Sequence, residues 1–228
     1  MFLLPNVTLV AVSSVDLDGA LFALSFSSSR IQFADVKFLT SELIVPNDPK
    51  IKVESISKLN IRGYSKFILQ DLHKHISTDF CLVVQADGFV LNPEQWQNEF
   101  LEYDYIGAPW PQELIAYPSE QILDLRRNRV GNGGFSLRSK KLLEITSKID
   151  FDSLEFPCFS EDLVIGHYLF EEMLAAGIRF PPPALAAKFS IESPDAAYGQ
   201  TPQTSFGFHG AVLKELILGV RGSARTKR

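Results

Sequence analysis

The chain has 228 residues, of which 46% are hydrophobic and 21% charged, with a formal net charge of −5; this balance belongs to a globular domain and excludes wholesale disorder. No domain-wide clustering of Lys and Arg marks a nucleic-acid footprint, so no nucleic-acid partner is expected. Two cysteines, Cys81 and Cys158, make no disulfide framework, and a chain of this length folds unstapled as one unit.

The stretch 1–12 is apolar but lacks a basic leader and a small-residue cleavage site. No run is long enough to cross a bilayer, and a cytoplasmic protein is expected. Within that stretch Val7-Thr8-Leu9-Val10-Ala11-Val12 is a β-branched run that predicts a buried parallel strand ending in Ser13-Ser14. A helix is predicted over 16–28, with Leu17, Leu21, Leu24 and Phe26 on its apolar face, and a strand over 36–39. The opening is therefore β-α-β, and short turns after such strands are where ligands lodge in open α/β sheets.

A loop at 46–52 and a short strand at 53–56 lead into a helix over 64–76, where Phe67, Ile68, Leu72 and Ile76 recur at helical spacing. The strand 80–85 follows at once, with Cys81 as a small buried hydrophobe and Asp87 just past its end. Pro93 breaks the chain ahead of a helix at 94–101 and a strand at 103–108, which runs into Pro109-Trp110-Pro111. Residues 112–129 are polar and weakly patterned, a long irregular insert of the kind that is functional or mobile. After Gly131-Asn132-Gly133-Gly134 the pattern gives a strand from Phe135, a helix from near Ser139, and a strong helix over 160–176 with acids in its first turn. The expected architecture is an α/β sandwich with a mostly parallel central sheet, a single domain over 1–220. The basic end 221–228, with Arg221, Arg225, Lys227 and Arg228, reads as a solvated tail with at most a peripheral contact with anionic lipid at the inner face of the membrane.

Four segments carry candidate chemistry. Asp87 stands at the carboxyl end of an apolar strand, where a carboxylate meets a ligand or metal in the sheet's crevice, although Asp before Gly88 is also a common turn pair. The glycines 131, 133 and 134 would let a ligand rest on bare backbone, or simply form a turn. Ser160-Glu161-Asp162 opens a helix, where acids suit the dipole and Asp162 could accept a proton from an attacking hydroxyl. His209 lies between Gly207-Phe208 and Gly210, presented on a loop where it could ligate a metal or bond a phosphate. His73, His75 and His167 read as structural. Phosphate-loop, dinucleotide, zinc-peptidase and nucleophile-elbow patterns are absent.

In order, Tyr64-Ser65-Lys66-Phe67, the strand ending at Asp87, Tyr105-Ile106-Gly107-Ala108-Pro109-Trp110, Gly131-Asn132-Gly133-Gly134-Phe135-Ser136-Leu137-Arg138, Glu161-Asp162 and Phe208-His209-Gly210 resemble GT-A glycosyltransferases. More closely, they are similar to a bacterial, viral and eukaryotic family of domains, once of unknown function, regarded as glycosyltransferases. The resemblance spans about residues 7–213 and implies a GT-A-like Rossmann-type sandwich that uses a nucleotide sugar, UDP-linked, to glycosylate a saccharide or lipid-linked acceptor in surface polysaccharide or glycoconjugate synthesis.

On that resemblance Val12, Ser13 and Ser14 would lie near the base and ribose, and Asp87 with Gly88 at the diphosphate. Asp87 matches the last carboxylate of an Asp-x-Asp motif that binds Mn²⁺ or Mg²⁺. The first position is Gln85, a poorer ligand than a carboxylate, which leaves His209 as the second protein ligand. Gly133 and Gly134 would face the sugar or acceptor, while Lys66 or Arg138 would offset charge on the leaving group. Glu161 and Asp162 would be the catalytic acids, with Asp162 the general base of an inverting transfer. Gln85 also motivates a second reading, a non-catalytic nucleotide-sugar-binding module of a larger synthase. A nucleotidyltransferase would need a glycine-rich basic loop after the first strand, and Ser13-Ser14-Val15-Asp16 is not one.

Overall fold

The computed structural model of the chain describes residues 2–116 and 119–219, so the basic tail expected at 221–228 lies outside the described residues. The chain opens with β1 (Phe2–Val12), α1 (Leu17–Arg30) and β2 (Ile31–Thr40), followed by β3 (Ile51–Ser55), α2 (Ile61–Gln70) and β4 (Phe80–Val84). Next come the short β5 (Tyr105–Ile106), β6 (Glu113–Ala116), β7 (Gln121–Asp124), β8 (Phe135–Ser139) and α3 (Lys140–Thr146). The last third holds α4 (Glu161–Leu163), α5 (Phe170–Ala175), α6 (Pro183–Phe189), β9 (Ser190–Ile191), β10 (Gly207–Phe208) and α7 (Ala211–Leu218).

Six strands form one sheet in the order β3-β2-β1-β4-β8-β5. The first four are mutually parallel; β8 runs antiparallel to β4 and to β5. This is the α/β sandwich with a mostly parallel sheet that the alternation of strands and helices predicts. The apolar runs arise because both faces of the central strands are covered. From β1, Leu9 and Ala11 face the side packed by Ala20, Ala23 and Leu24 of α1, and Val10 and Val12 face Phe67 and Ile68 of α2. In β4 the same alternation sends Leu82 and Val84 one way and Cys81 and Val83 the other. Burial pushes the Cys81 thiol up to about 12, consistent with a purely packing role.

The order of strands places the site. From β1 the chain steps outward to β2 and β3, then returns to put β4 on the other side of β1. A crevice opens at such a reversal, at the carboxyl ends of the two strands. Those ends are Val12-Ser13-Ser14 and Val84-Gln85-Ala86-Asp87. Side-chain caps fix the helices beside it: Asp16 Oδ1 accepts the N–H of Gly19 at 2.9 Å, and Asn60 Oδ1 that of Gly63 at 2.7 Å.

Several expected elements are shorter or of another kind. The helix predicted over 64–76 ends at Gln70 and continues as a 3₁₀ turn, Leu72–His75. The helix expected at 94–101 is two 3₁₀ turns, Pro93–Gln95 and Asn98–Glu102. Trp96 between them is extended so that its indole packs edge-on against Phe100 and Phe206; tertiary packing overrides helix propensity there. The strong helix expected over 160–176 is interrupted by a π turn, Val164–Tyr168. Within it the Gly166 carbonyl accepts a bond from Asn128 Nδ2 at 2.9 Å, a side chain of the kind that opens the i→i−4 ladder. The irregular insert at 112–129 contains a hairpin, β6 and β7 in the register Leu114↔Leu123 and Ile115↔Ile122.

The 18 phenylalanines explain how the last third is held. Phe89 meets Phe208 edge-on at 4.6 Å, and Phe100, Phe135, Phe189 and Phe206 form a continuous aromatic cluster. The backbones pair as well: Val90 and Gly207 form a β-bridge, and the N–H groups of Leu91 and Asn92 donate to the Phe206 carbonyl. The segment that follows Asp87 is thereby clamped to the one that carries His209. Phe208 is wholly buried, so Phe208→Ala is expected to cost about 3–5 kcal/mol, read as a lowered midpoint in urea unfolding.

Candidate active site

A cavity of about 580 Å³ lies in the crevice between β1 and β4; Val12, Ser13, Ser14, Tyr64, Gln85, Asp87 and Glu161 are among its lining residues. The Ser13 hydroxyl accepts the backbone N–H groups of Val15 and Asp16 and so shapes the turn into α1. The Ser14 hydroxyl is buried and finds no partner among the described residues, a group left to be satisfied by a ligand or water.

At the β4 end Gln85 is fixed at both amide atoms. Its Nε2 donates to the Tyr64 hydroxyl at 2.8 Å, and its Oε1 lies 3.2 Å from His209 Nε2. The same imidazole nitrogen lies 3.4 Å from Asp87 Oδ1, and Nδ1 lies 3.0 Å from Glu192 Oε1. Burial works against an imidazolium here, but bonds to Asp87 and Glu192 outweigh it and hold His209 up at about 10. The same bond holds the Asp87 carboxyl below its ordinary range, despite partial burial. Lys214 of α7 reaches in beside them, donating to the Ala86 carbonyl with its ammonium 5.8 Å over the Phe22 ring.

The second group of charges lies where α4 begins. Arg138, 1% exposed, is paired with Glu161 at 2.8 Å, donates to Ser136 Oγ at 3.0 Å and lies 5.3 Å from the Tyr105 ring centroid. Asp162 makes no such ion pair among the described residues. Its Oδ2 accepts the Gly133 N–H at 3.2 Å and its Oδ1 the Leu163 N–H at 2.8 Å. Burial, aided by the neighbouring Glu161 charge, raises its carboxyl from 3.8 to about 7. Asp162 borders a second cavity of about 620 Å³, which shares Ile61, Ser65 and Ser160 with the first.

The two glycines serve close approach, though not to the first cavity. A Cβ at Gly133 would sit 1.9 Å from Glu161 Oε1, and one at Gly134 2.1 Å from His209 Nε2. They seat those side chains and line neither cavity. Arg138 is likewise held by Glu161 behind the cavity wall. Lys66 points outward to an ion pair with Asp152. Gly88 backs onto the Phe208 carbonyl and closes the Gln85 turn. Of the residues singled out in the sequence, Val12, Ser13, Ser14, Asp87, Glu161 and Asp162 line the two cavities, and His209 reaches them only through its contacts with Asp87 and Gln85; Lys66, Gly88, Gly133, Gly134 and Arg138 do not line them. The insert hairpin borders the second cavity through Leu114, Ile115 and Ala116, and not the first. Glu192 and Lys214 were not legible as site residues: Glu192 follows a two-residue strand and Lys214 sits on a short helix, and neither has a motif around it.

The donors around Asp87 could hold a divalent cation shared with a ligand once His209 gives up the proton that Asp87 and Glu192 hold on it. Asp87 and His209 converge, Gln85 adds an amide oxygen, and Glu192 backs the imidazole, as a carboxylate commonly backs a metal-ligating histidine. Among the described residues no group of three or more His, Cys, Asp or Glu side chains gathers as a complete metal site. A Mg²⁺-like ion that keeps water and phosphate ligands needs only one or two from the protein.

Residues 50–209 match a family described as "Protein of unknown function (DUF5672)". The chain belongs to that family. No curated protein matches it. Among solved structures it is similar to a glycosyltransferase involved in the glycosylation of the major capsid of PBCV-1, with 14% identity, 94% of this chain and 99% of that chain covered, and a TM-score of 0.51. It also matches A197 from STIV at 14% identity over 76% of this chain and 79% of that one, with a TM-score of 0.39. At such identity the likeness to the capsid glycosyltransferase shows the fold alone: a glycosyltransferase-like α/β sandwich. Among the described residues no helix is long and apolar enough to cross a membrane.

Because Glu161 is 5% exposed, removing its cation strands a buried charge. Arg138→Met is expected to cost about 3–5 kcal/mol of stability, and Arg138→Met combined with Glu161→Gln to recover most of it. Urea unfolding of the single and double variants measures both.

Proposed function

We propose that this chain is a glycosyltransferase that moves a sugar from a nucleotide-sugar donor, UDP-linked, to a hydroxyl of a saccharide or lipid-linked acceptor. The observation that carries this reading is a pair of adjoining cavities at the sheet's reversal point, one holding Asp87 beside His209, the other bordered by a carboxylate with a raised pKa. The glycosyltransferase-like fold supports it.

In this reading the nucleoside lies against Val12, Ser13 and Ser14, whose unpartnered hydroxyl offers it a hydrogen bond. The diphosphate lies toward Asp87 and Lys214. Asp87 and His209 would hold a Mn²⁺ or Mg²⁺ ion, which when bound supplies positive charge to the diphosphate. Glu192 would keep the Nδ1 proton of His209, and Nε2 would serve the ion only after giving up its own proton and its contacts with Gln85 and Asp87. The acceptor enters the second cavity, and Asp162 takes the proton of its hydroxyl as the oxygen attacks the anomeric carbon. The bond from that carbon to the diphosphate breaks, and the nucleotide diphosphate leaves with the electron pair. A base on the side opposite the leaving group gives inversion. Burial, with the neighbouring Glu161 charge only partly offset by Arg138, would keep the proton affinity of Asp162 high, as a general base near neutral pH requires.

Two measurements test this. Release of nucleotide diphosphate from a panel of nucleotide sugars, followed against pH, is expected to give a kcat/KM that falls about tenfold per unit below pH 7, because the working carboxylate exists only above its raised pKa. Asp162→Asn abolishes turnover. The stability sign is opposite: a carboxyl whose folded pKa is raised favours the protonated fold, so this contribution is lost as pH rises from about 4 to 7. Asp162→Asn should therefore melt a few degrees higher than wild type at pH 8. A lower melting point together with unchanged turnover removes Asp162 from the mechanism. By calorimetry, UDP is expected to bind more tightly with Mn²⁺, and Asp87→Ala to weaken that binding at least about tenfold. UDP binding that ignores Mn²⁺, without turnover of any donor, would instead support a non-catalytic nucleotide-sugar-binding module, the reading that Gln85 favours.

A further inference from the structure

The second cavity has two unlike parts. Asp162, Glu192 and Ser193 bring polar groups from the start of α4 and the end of β9, beside Ser160 and Ser65, which both cavities share, and Arg62 of α2, whose guanidinium is laid over the Phe159 ring at 3.9 Å. Trp110, Leu114 and Ile115 make an apolar wall from the turn before the hairpin and from β6. A sugar ring presents hydroxyls in every direction, and each one buried without a partner costs free energy. The polar groups suffice for one hydroxyl-bearing head, and the volume of about 620 Å³ is that of a cavity enclosing a drug-sized molecule.

The hairpin itself makes the same point. Leu114 and Ala116 turn inward and, with Leu123, pack against Trp110 and Leu163. The opposite face carries the cross-strand pair Ile115↔Ile122, 68% and 65% exposed. Solvent-facing strand positions are ordinarily polar. Here two β-branched aliphatic side chains stand together in water, and one of them, Ile115, is among the residues that line the second cavity.

We infer that the second cavity takes an acceptor whose hydroxyl-bearing head is joined to an apolar group, as in an alkyl or lipid-linked glycoside, with the head at Asp162 and the apolar group along Trp110, Leu114 and Ile115. This rests on the transferase reading for the identity of the head as acceptor, and narrows it by excluding free, uniformly polar saccharides. The apolar part is recognised by area alone, so affinity rises with chain length by about two- to fourfold per methylene that enters.

Calorimetry with n-octyl and methyl β-D-glucoside, below the micelle concentration of the former, tests this without turnover. The octyl glycoside is expected to bind wild type at least tenfold more tightly. Ile115→Ser, a surface substitution that spares the fold, should cut that preference several-fold and leave UDP binding unchanged. Leu43→Ser, at a fully exposed leucine outside both cavities, should change neither. Equal binding of the two glycosides, a preference that survives in Ile115→Ser, or one that falls equally in Leu43→Ser overturns the inference. Failure of the transferase reading shows separately, as loss of UDP binding or of nucleotide release in wild type.

Discussion

The docking of residues 206–210 onto residues 87–92 is the contact on which the candidate site depends. Phe89 and Phe208 meet edge-on, and their backbones are joined through the Val90–Gly207 bridge and the bonds to the Phe206 carbonyl. Asp87 and His209 each lie within two residues of that aromatic pair, so their separation is set by a packed core and not by two mobile loops. Aromatic contacts suit this task because they bury large area in a defined geometry. The Gly210 N–H, donating to the Asp87 carbonyl, closes the same clamp at its other end.

Around that clamp the carboxylates are compensated unequally. Glu161 is paired with Arg138, and Asp87 and Glu192 share His209. Among the described residues Asp162 has only backbone N–H groups for partners. Backbone donors keep it oriented but supply less stabilisation of its charge than a cation would, so burial and the adjacent Glu161 prevail and its proton affinity rises. The buried Arg138–Glu161 pair thus fixes the start of α4 beside Asp162, and Arg138 offsets only part of the Glu161 charge that raises the neighbouring carboxyl.

The glycines link these parts. In the sequence Gly133-Gly134 invites the idea of a ligand lying on bare backbone. In the fold the space above them is occupied by Glu161 and His209, so their smallness serves the placement of functional side chains. The same substitution of protein for ligand explains Arg138, whose guanidinium is spent on Glu161. It also explains why the hairpin of the insert borders the second cavity and not the first: Trp110, which ends the turn before it, anchors Ala116 and Leu123 in a local apolar cluster.

The sequence by itself determined the α/β class, the parallel core strands and the Asp87 strand end, because apolar periodicity and strand–helix alternation are local signals that burial on both sheet faces enforces. It also singled out Asp162 and His209 as residues of interest, through their short motifs. Tertiary structure alone decided which carboxylate is paired and which is free to titrate, that Glu192 backs His209, that Lys214 reaches the β4 end, and that the helix over 160–176 breaks into a π turn. Those outcomes rest on contacts between segments far apart in the chain, such as Arg138 with Glu161, His209 with Gln85, and Asn128 with Gly166. No local pattern encodes them, since each side chain's charge and geometry are set by a partner that only folding brings within reach.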